Sequence, residues 1–263
     1  MSRDEHSGVQ SVERAFELLE ALSHGERKVA DVAESMGLPR TTVYRLLGTL
    51  EPRGYVKRNP LTGAYRLGFR LFELGNRLIH QIGLEDEATS RMEELSRRCG
   101  ETVNLAVLDD FQVLYIRKVE SREPLKMGLL VGTRVPAHCS GLGKAMLAFS
   151  GPDSVERYIS AVSLTRYTPN TITQAGALKE EMERIRREGY AIDDEEYFPG
   201  IRCVAAPVLD HEGRVRAGLS ISGPLVRMGS KHMRALAGDI RECAKGISSG
   251  LGYRCGTGTP EDR

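Results

Sequence analysis

The stretch Gly37-Leu-Pro-Arg-Thr-Thr-Val-Tyr-Arg-Leu-Leu47 decides how the first part of the chain folds. Val43, Leu46, Leu47 and Leu50 recur at i, i+3, i+4 and i+7, the apolar stripe of a helix. A shorter stripe, Val29, Val32, Ala33 and Met36, precedes it and stops at Gly37, a residue free to turn left-handed past a helix end. Pro39 stands at the start of the next helix, where its missing N–H costs nothing. Two short helices joined by a Gly-containing turn read as a helix-turn-helix. Laid out at about 100° per residue, the face opposite the stripe carries Thr41, Tyr44, Arg45 and Gly48, flanked by Arg40 and Thr42. The N-terminal residues of such a helix meet base edges in DNA. Arg45 has the geometry to pair with guanine, and the threonine methyls suit thymine. Set against this is a solvated arginine on an ordinary surface helix.

Working outward, Val12, Phe16 and Leu19, with Ala15 and Leu22 on the same stripe, predict an amphipathic helix over about 9–23. Downstream, Tyr55-Val-Lys-Arg58 and Ala64-Tyr-Arg-Leu67 flank an Asn59-Pro…Gly63 turn, a β-hairpin. Lys57, Arg58 and Arg66 make it basic, as a wing that meets phosphates would be. Nine Lys/Arg between Arg27 and Arg70 oppose Asp31, Glu34 and Glu51, a local surplus of six in a chain of net charge +1. Such a block is the footprint of a nucleic-acid module joined to something more acidic. Residues 69–82 carry two apolar stripes, Leu71/Leu74/Leu78 and Phe72/Gly75/Ile79/Ile82. A helix apolar on two sides needs two partners: it is expected to link the domains on one side and meet a second subunit on the other, the alternative being a helix buried within a single chain.

From about residue 84 the texture changes. A helix is expected over 85–98. Strands are expected at Thr102–Leu108, Gln112–Val119, Leu125–Leu129, Tyr190–Asp193, Cys203–Leu209 and Val215–Ser222. Further helices are expected at 141–149, 153–161, 177–188 and 230–249. Hairpin-joined strands mixed with helices argue for an antiparallel sheet with helices packed on it, so the chain is α+β with two domains. The expected boundaries are 1–68 for the winged helix-turn-helix, 69–84 for the linker helix, 85–252 for the second domain and 253–263 for the tail.

Four segments of that domain hold unusual polar residues. Ser140-Gly-Leu-Gly-Lys-Ala145 lacks the first glycine and the final Ser/Thr of a phosphate loop; what survives is a helix start whose free N–H groups suit a small anion. Asp193-Asp-Glu-Glu196 reads by itself as a solvated loop, and Cys203 as a core residue. Ser220 and Ser222 stand at i and i+2 on one strand face, where two hydroxyls need partners or a ligand.

Composition excludes several classes. No stretch approaches the ~20 apolar residues of a membrane span, and MSRDEHSGVQ has no apolar run of a secretory signal. Five scattered cysteines without a CxxC argue against a disulfide framework or a zinc ribbon and fit the reducing cytoplasm. An alternative reading is a Cys-dependent hydrolase using Cys203 or Cys139 with His138.

In this order and spacing, the Gly37–Leu47 stretch, Tyr65-Arg-Leu-Gly68, the Ser140–Ala145 segment, the acid cluster, Gly200-Ile-Arg-Cys203 and Ser220-Ile-Ser-Gly-Pro224 resemble the IclR family of bacterial transcription regulators across about residues 9–250. The resemblance implies a winged helix-turn-helix, a linker helix and a GAF-like domain with an antiparallel sheet flanked by helices. It implies double-stranded DNA with a near-palindromic operator as one partner, a small-molecule effector such as a carboxylate or aromatic metabolite as another, and assembly as a dimer or tetramer. Catabolic operons are the targets it implies. It places the effector among Gly141, Leu142, Asp193, Cys203, Ser220 and Ser222, with Met127, Val135 and Ile201 as the apolar wall. DNA contacts fall to Arg40, Thr41, Thr42, Tyr44 and Arg45, with Lys57, Arg58 and Arg66 on the wing. No catalytic residue, metal, cofactor or membrane partner is expected.

Overall fold

The computed structural model describes residues 8–82, 85–126, 128–151 and 153–254, with only the backbone described for 79–82 and 85–87. The chain divides into two compact units between Gln81 and Ile82.

In the first unit, α1 (Gln10–Ala21), α2 (Val29–Met36) and α3 (Arg40–Leu50) are followed by the hairpin β1 (Val56–Arg58) and β2 (Tyr65–Leu67). Gly37 closes α2 with φ of 62°, the left-handed cap that its sequence position predicts. Leu18, Leu22, Val32, Val43, Leu47, Val56 and Tyr65 make the core. One expectation is corrected here. Val12 and Phe16 do not face that core: they are 48% and 61% exposed, while Leu18 and Leu22 are buried. The apolar residues of α1 cover about half of its circumference at helical spacing, so periodicity alone does not choose the inward half. Helix α4 (Phe69–Ile82) follows the hairpin. Phe69, Phe72 and Leu78 on it are exposed.

The second unit is a six-stranded antiparallel sheet with helices on both faces. Helix α5 (Glu85–Cys99) leads into β3 (Thr102–Asp109) and β4 (Gln112–Val119), then β5 (Arg134–Pro136). Helices α6 (Gly141–Phe149), α7 (Ser154–Ala161) and α8 (Ala175–Glu188) come next. Strands β6 (Ala191–Asp194), β7 (Ile201–Leu209) and β8 (Val215–Pro224), and helix α9 (Ser230–Gly250), complete the unit. The strand order is β5-β4-β3-β8-β7-β6. Side chains alternate between faces along each strand. Val103, Leu105, Val204, Leu219 and Ile221 form one face with Met92, Leu236 and Ile240 of α5 and α9. Ala106, Ala191 and Ala205 form the other with Leu142, Met146, Leu178 and Met182 of α6 and α8.

The strand expected at Leu125–Leu129 does not form over the described residues of that span. Instead the Leu125 carbonyl accepts from Arg227 Nη2 at 2.8 Å, and the short, Pro-ended β5 takes the edge beside β4. A three-residue edge strand has too little alternation to be read from sequence.

Candidate functional site

On α3 the core side is Val43 and Leu47, and the exposed side carries Arg40, Thr41, Tyr44, Arg45 and Gly48. Thr42 is half-buried. A Cβ built on Gly48 meets nothing within 4 Å, so no neighbouring segment of the described chain requires that glycine. On the hairpin, Lys57 pairs in register with Arg66, and Arg58 with Tyr65. Lys57 and Arg58 are exposed. Arg66 is already engaged: its guanidinium lies 3.7 Å from Glu26 and stands over the Phe69 ring at 5.8 Å. Exposed cations beside an exposed helical face can meet phosphates and base edges together, the two kinds of contact that position and specify.

In the second unit the antiparallel register lines up a polar row. Thr102 of β3 pairs with Ser222 of β8, Ser222 with Cys203 of β7, and Cys203 with Asp193 of β6. In the adjacent row Asn104 pairs with Ser220. All six are buried, on the sheet face that α6 covers. The glycines explain how α6 comes so near. A Cβ at Gly141 would stand 2.8 Å from Cys203 Sγ, and one at Gly143 would stand 2.3 Å from Ala137 Cα. The Ser140 hydroxyl caps the helix, accepting from Gly143 N–H at 3.0 Å. Thus Gly141, Leu142, Asp193, Cys203, Ser220 and Ser222 lie together at the contact between α6 and the sheet. Ile201 shares the strand face of Cys203 and is half-buried, Val135 is buried on β5, and Met127 lies outside the described residues.

The electrostatics of this region differ from the expectation. The acid cluster is not a solvated loop: Asp193 and Glu196 are buried while Asp194 is exposed. Asp193 Oδ1 accepts from Glu196 N–H at 2.8 Å, and its Oδ2 lies 3.7 Å from the Cys203 thiol. Burial raises the Asp193 carboxyl to about 6 against the opposing pull of Lys144. Burial also raises Glu196 to about 7, and the nearby Asp193 charge adds to it. Lys144, fully buried, donates to Glu196 and, at 3.2 Å, to Glu181. Burial alone would depress its pKa, but these carboxylates hold it above the ordinary lysine value. The sequence reading missed Lys144, Glu181, Glu196 and Asn104. A signal for the first was present: a lone lysine in Gly141-Leu-Gly-Lys-Ala-Met-Leu-Ala-Phe149 is a buried cation that needs a carboxylate.

The hydrolase reading fails on this geometry. His138 Nδ1 is 2.8 Å from the Tyr158 hydroxyl and Nε2 is 3.0 Å from the Thr165 carbonyl, so both ring nitrogens are occupied. Burial lowers its pKa. Cys139 Sγ points to the Pro136 carbonyl, and burial pushes both Cys139 and Cys203 above the ordinary thiol range. A reactive thiolate needs the opposite environment. Among the described residues no group of three or more His, Cys, Asp or Glu is placed to hold a metal.

A helix-turn-helix unit with an exposed basic face, joined to a sheet unit holding an enclosed polar cluster, defines the class: a two-part DNA-binding regulator. Comparison with known proteins gives the family. Residues 11–60 match the IclR helix-turn-helix domain, and residues 76–249 match the bacterial transcriptional regulator IclR C-terminal domain. The chain is 35% identical to the HTH-type transcriptional regulator XynR of Escherichia coli over 93% of its own length and 98% of that protein's. It superposes on the crystal structure of the Thermotoga maritima IclR with a TM-score of 0.83 and 34% identity, covering 94% of this chain and all of that one. An IclR homologue from Microbacterium hydrocarbonoxydans, solved in complex with 4-hydroxybenzoate, matches with a TM-score of 0.81 and 29% identity over 92% of this chain and 98% of that one. The chain belongs to the IclR family of bacterial transcriptional regulators. It is a DNA-binding regulator, not an enzyme. No described helix is long and apolar enough to cross a membrane.

Proposed function

We propose that this regulator binds a near-palindromic operator as a dimer, controls a catabolic operon from the cytoplasm, and responds to a small organic acid held in its second unit. Arg40, Thr41, Thr42, Tyr44 and Arg45 read bases, while Lys57, Arg58 and Arg66 contact phosphates. The observation that carries the DNA half is the exposed Arg40/Thr41/Tyr44/Arg45 face set against the buried Val43 and Leu47. The exposed Val9 just before α1 and Val12 and Phe16 on it, with Phe72 and Leu78 of α4, supply the apolar surface that a subunit contact within a dimer or tetramer needs. The effector half rests on Gly141, Leu142, Asp193, Cys203, Ser220 and Ser222 converging on one sheet face, with Met127, Val135 and Ile201 as its wall. The 4-hydroxybenzoate carried by the Microbacterium relative is an acid of the same class. Residues 1–68, 69–84 and 85–252 act as reader, linker and sensor, with 253–263 as a tail. The covalent route between reader and sensor runs through α4 and α5, and positions 83–84 within it lie outside the described residues.

The test is a pair of variants on an operator fragment. Arg45→Ala should cost about 1–3 kcal/mol on the specific site and relax preference at one base step; equal loss on random DNA would remove Arg45 from the base-reading set. Ser222→Ala should weaken the effector's influence and leave effector-free DNA affinity within a few-fold. Abolished DNA binding without effector would make that serine structural. Affinity should fall steeply with salt as counterions are released.

A further inference from the structure

The start of α6 already holds an anion of the chain's own. The Gly141 N–H is turned to the Asp193 carboxyl, and a Cβ built on Gly141 would stand 3.5 Å from Asp193 Cβ. The same carboxyl accepts from Glu196 N–H at 2.8 Å and faces the Cys203 thiol at 3.7 Å. These donors are all neutral. Asp193 is 9% exposed and Glu196 6%, so water does little to offset their charge. Among the described residues Asp193 has no ion pair, and Glu196 has one, with Lys144. The second oxygen of Glu196, Oε2, is buried with no partner among the described residues.

Counting charges shows a surplus of acid. Glu181 of α8 is held by Arg184 at 2.8 and 2.9 Å and also touches Lys144 at 3.2 Å. Lys144 of α6 is then left to answer two enclosed carboxyls, Asp193 and Glu196. The other titratable groups that face Asp193 are Cys203 of β7, Cys139 just before α6 and Tyr115 of β4. Burial raises all three, so they stay neutral and bring no positive charge.

An effector acid adds to that surplus. Register sets Asp193 beside Cys203 and Cys203 beside Ser222, with neighbouring strands about 4.8 Å apart. An acid held between the serines and Gly141 therefore stands next to the Asp193 carboxyl. Two like charges sharing an enclosed site do not both persist; one of them takes a proton.

We propose that this regulator binds its effector as an anion together with one proton from solvent, which Asp193 and Glu196 share. The inference rests on the acid-site reading of the preceding section. The charges balance: one carboxylate enters, one proton enters with it, and one enclosed carboxylate of the chain becomes neutral. A protonated carboxyl also turns from acceptor to donor, so it can give a hydrogen bond to the acid beside it. Mild acid then tightens the effector's hold, and mild base loosens it.

The experiment uses the full chain and a panel of probes, 2-oxo acids of two to six carbons, starting with pyruvate, and aromatic acids, starting with 4-hydroxybenzoate. Thermal shift finds a probe that binds. Calorimetry at about pH 8, in two buffers of different ionisation enthalpy, counts the protons taken up with it. Titrations from about pH 5 to pH 8.5 give its Kd. Asp193 and Glu196 sit at about 6 and about 7, so both have released their protons at the upper end. The wild type should take up about one proton per acid there, and its Kd should rise about tenfold per pH unit above neutrality and level off toward pH 5. The double variant Asp193→Asn/Glu196→Gln has neither carboxyl. Where it folds and binds the probe, uptake should fall to near zero and the slope should vanish. The wild-type count decides the matter even if that variant does not fold or bind. No uptake by the wild type, a Kd independent of pH, or undiminished uptake in the double variant, which would put the proton on another group such as His138, would overturn this inference alone. Failure of every acid to bind the wild type would instead remove the acid-site reading, and this inference with it.

Discussion

The two units handle charge in opposite ways. The first displays it: Arg40, Arg45, Lys57 and Arg58 are exposed around a small apolar core. The second encloses it: Lys144, Asp193 and Glu196 lie inside, within a network that also takes in Glu181 and Arg184. An exposed cation stays free to meet a large polyanion at little cost to the fold. An enclosed group binds its neighbours strongly because water does not screen them, and its removal is correspondingly expensive. The two units should therefore respond to substitution very differently.

The largest expected effect is at Lys144. Lys144→Met leaves Glu196 and Asp193 buried without their cation and should destabilise the second unit by about 3–5 kcal/mol in chemical denaturation. Arg45→Ala, on the exposed face, should change stability by no more than about 0.5 kcal/mol. Comparable losses at the two sites would break the contrast.

Next is pH. The folded carboxyls of Asp193 and Glu196 sit at about 6 and about 7, above their ordinary values of 3.8 and 4.5. Between the ordinary and the raised values the unfolded chain has released protons that the folded chain keeps. Rising pH therefore favours unfolding across that window. The second unit should lose stability from about pH 4 to pH 7, by about 1–3 kcal/mol, and then level off. Glu196→Gln should flatten that slope. A denaturation midpoint that rose over the same range would mean that both groups are ionised in the fold.

The smallest effects compare two glycines. Gly141→Ala pushes a methyl to 2.8 Å from Cys203 Sγ and should cost about 1–3 kcal/mol. Gly48→Ala puts the same methyl into open space on α3 and should stabilise the helix by up to about 1 kcal/mol. If that variant is more stable yet binds operator more weakly, the methyl is meeting DNA.

Local patterns were enough for part of this molecule. The helix-turn-helix and its exposed face follow from stripe spacing and a left-handed glycine, because a helix sorts its faces by an arithmetic that neighbours four residues apart already contain. The β1–β2 hairpin and the long helices follow in the same way. Ser220 and Ser222 were legible as a same-face pair for a similar reason, two residues along one strand. Where the apolar residues of α1 covered half the helix, the arithmetic did not choose a side, and packing turned Leu18 and Leu22 inward.

What the sequence by itself determined is the set of elements and the chemistry each carries: a basic helical face, a glycine-flanked helix start, two hydroxyls, four acids. Only the tertiary structure decided which of these meet. Asn104 joins the serines because β3 pairs with β8 in one register, and a slip of one residue would turn it to the opposite face. Lys144 joins Glu196, 52 residues away, because Gly141 and Gly143 let α6 settle against β7 and Ala137. Strand register and the depth of a helix on a sheet are set by contacts between residues distant in the chain. No local pattern carries them, and in this protein they decide which acids are buried and which cation answers them.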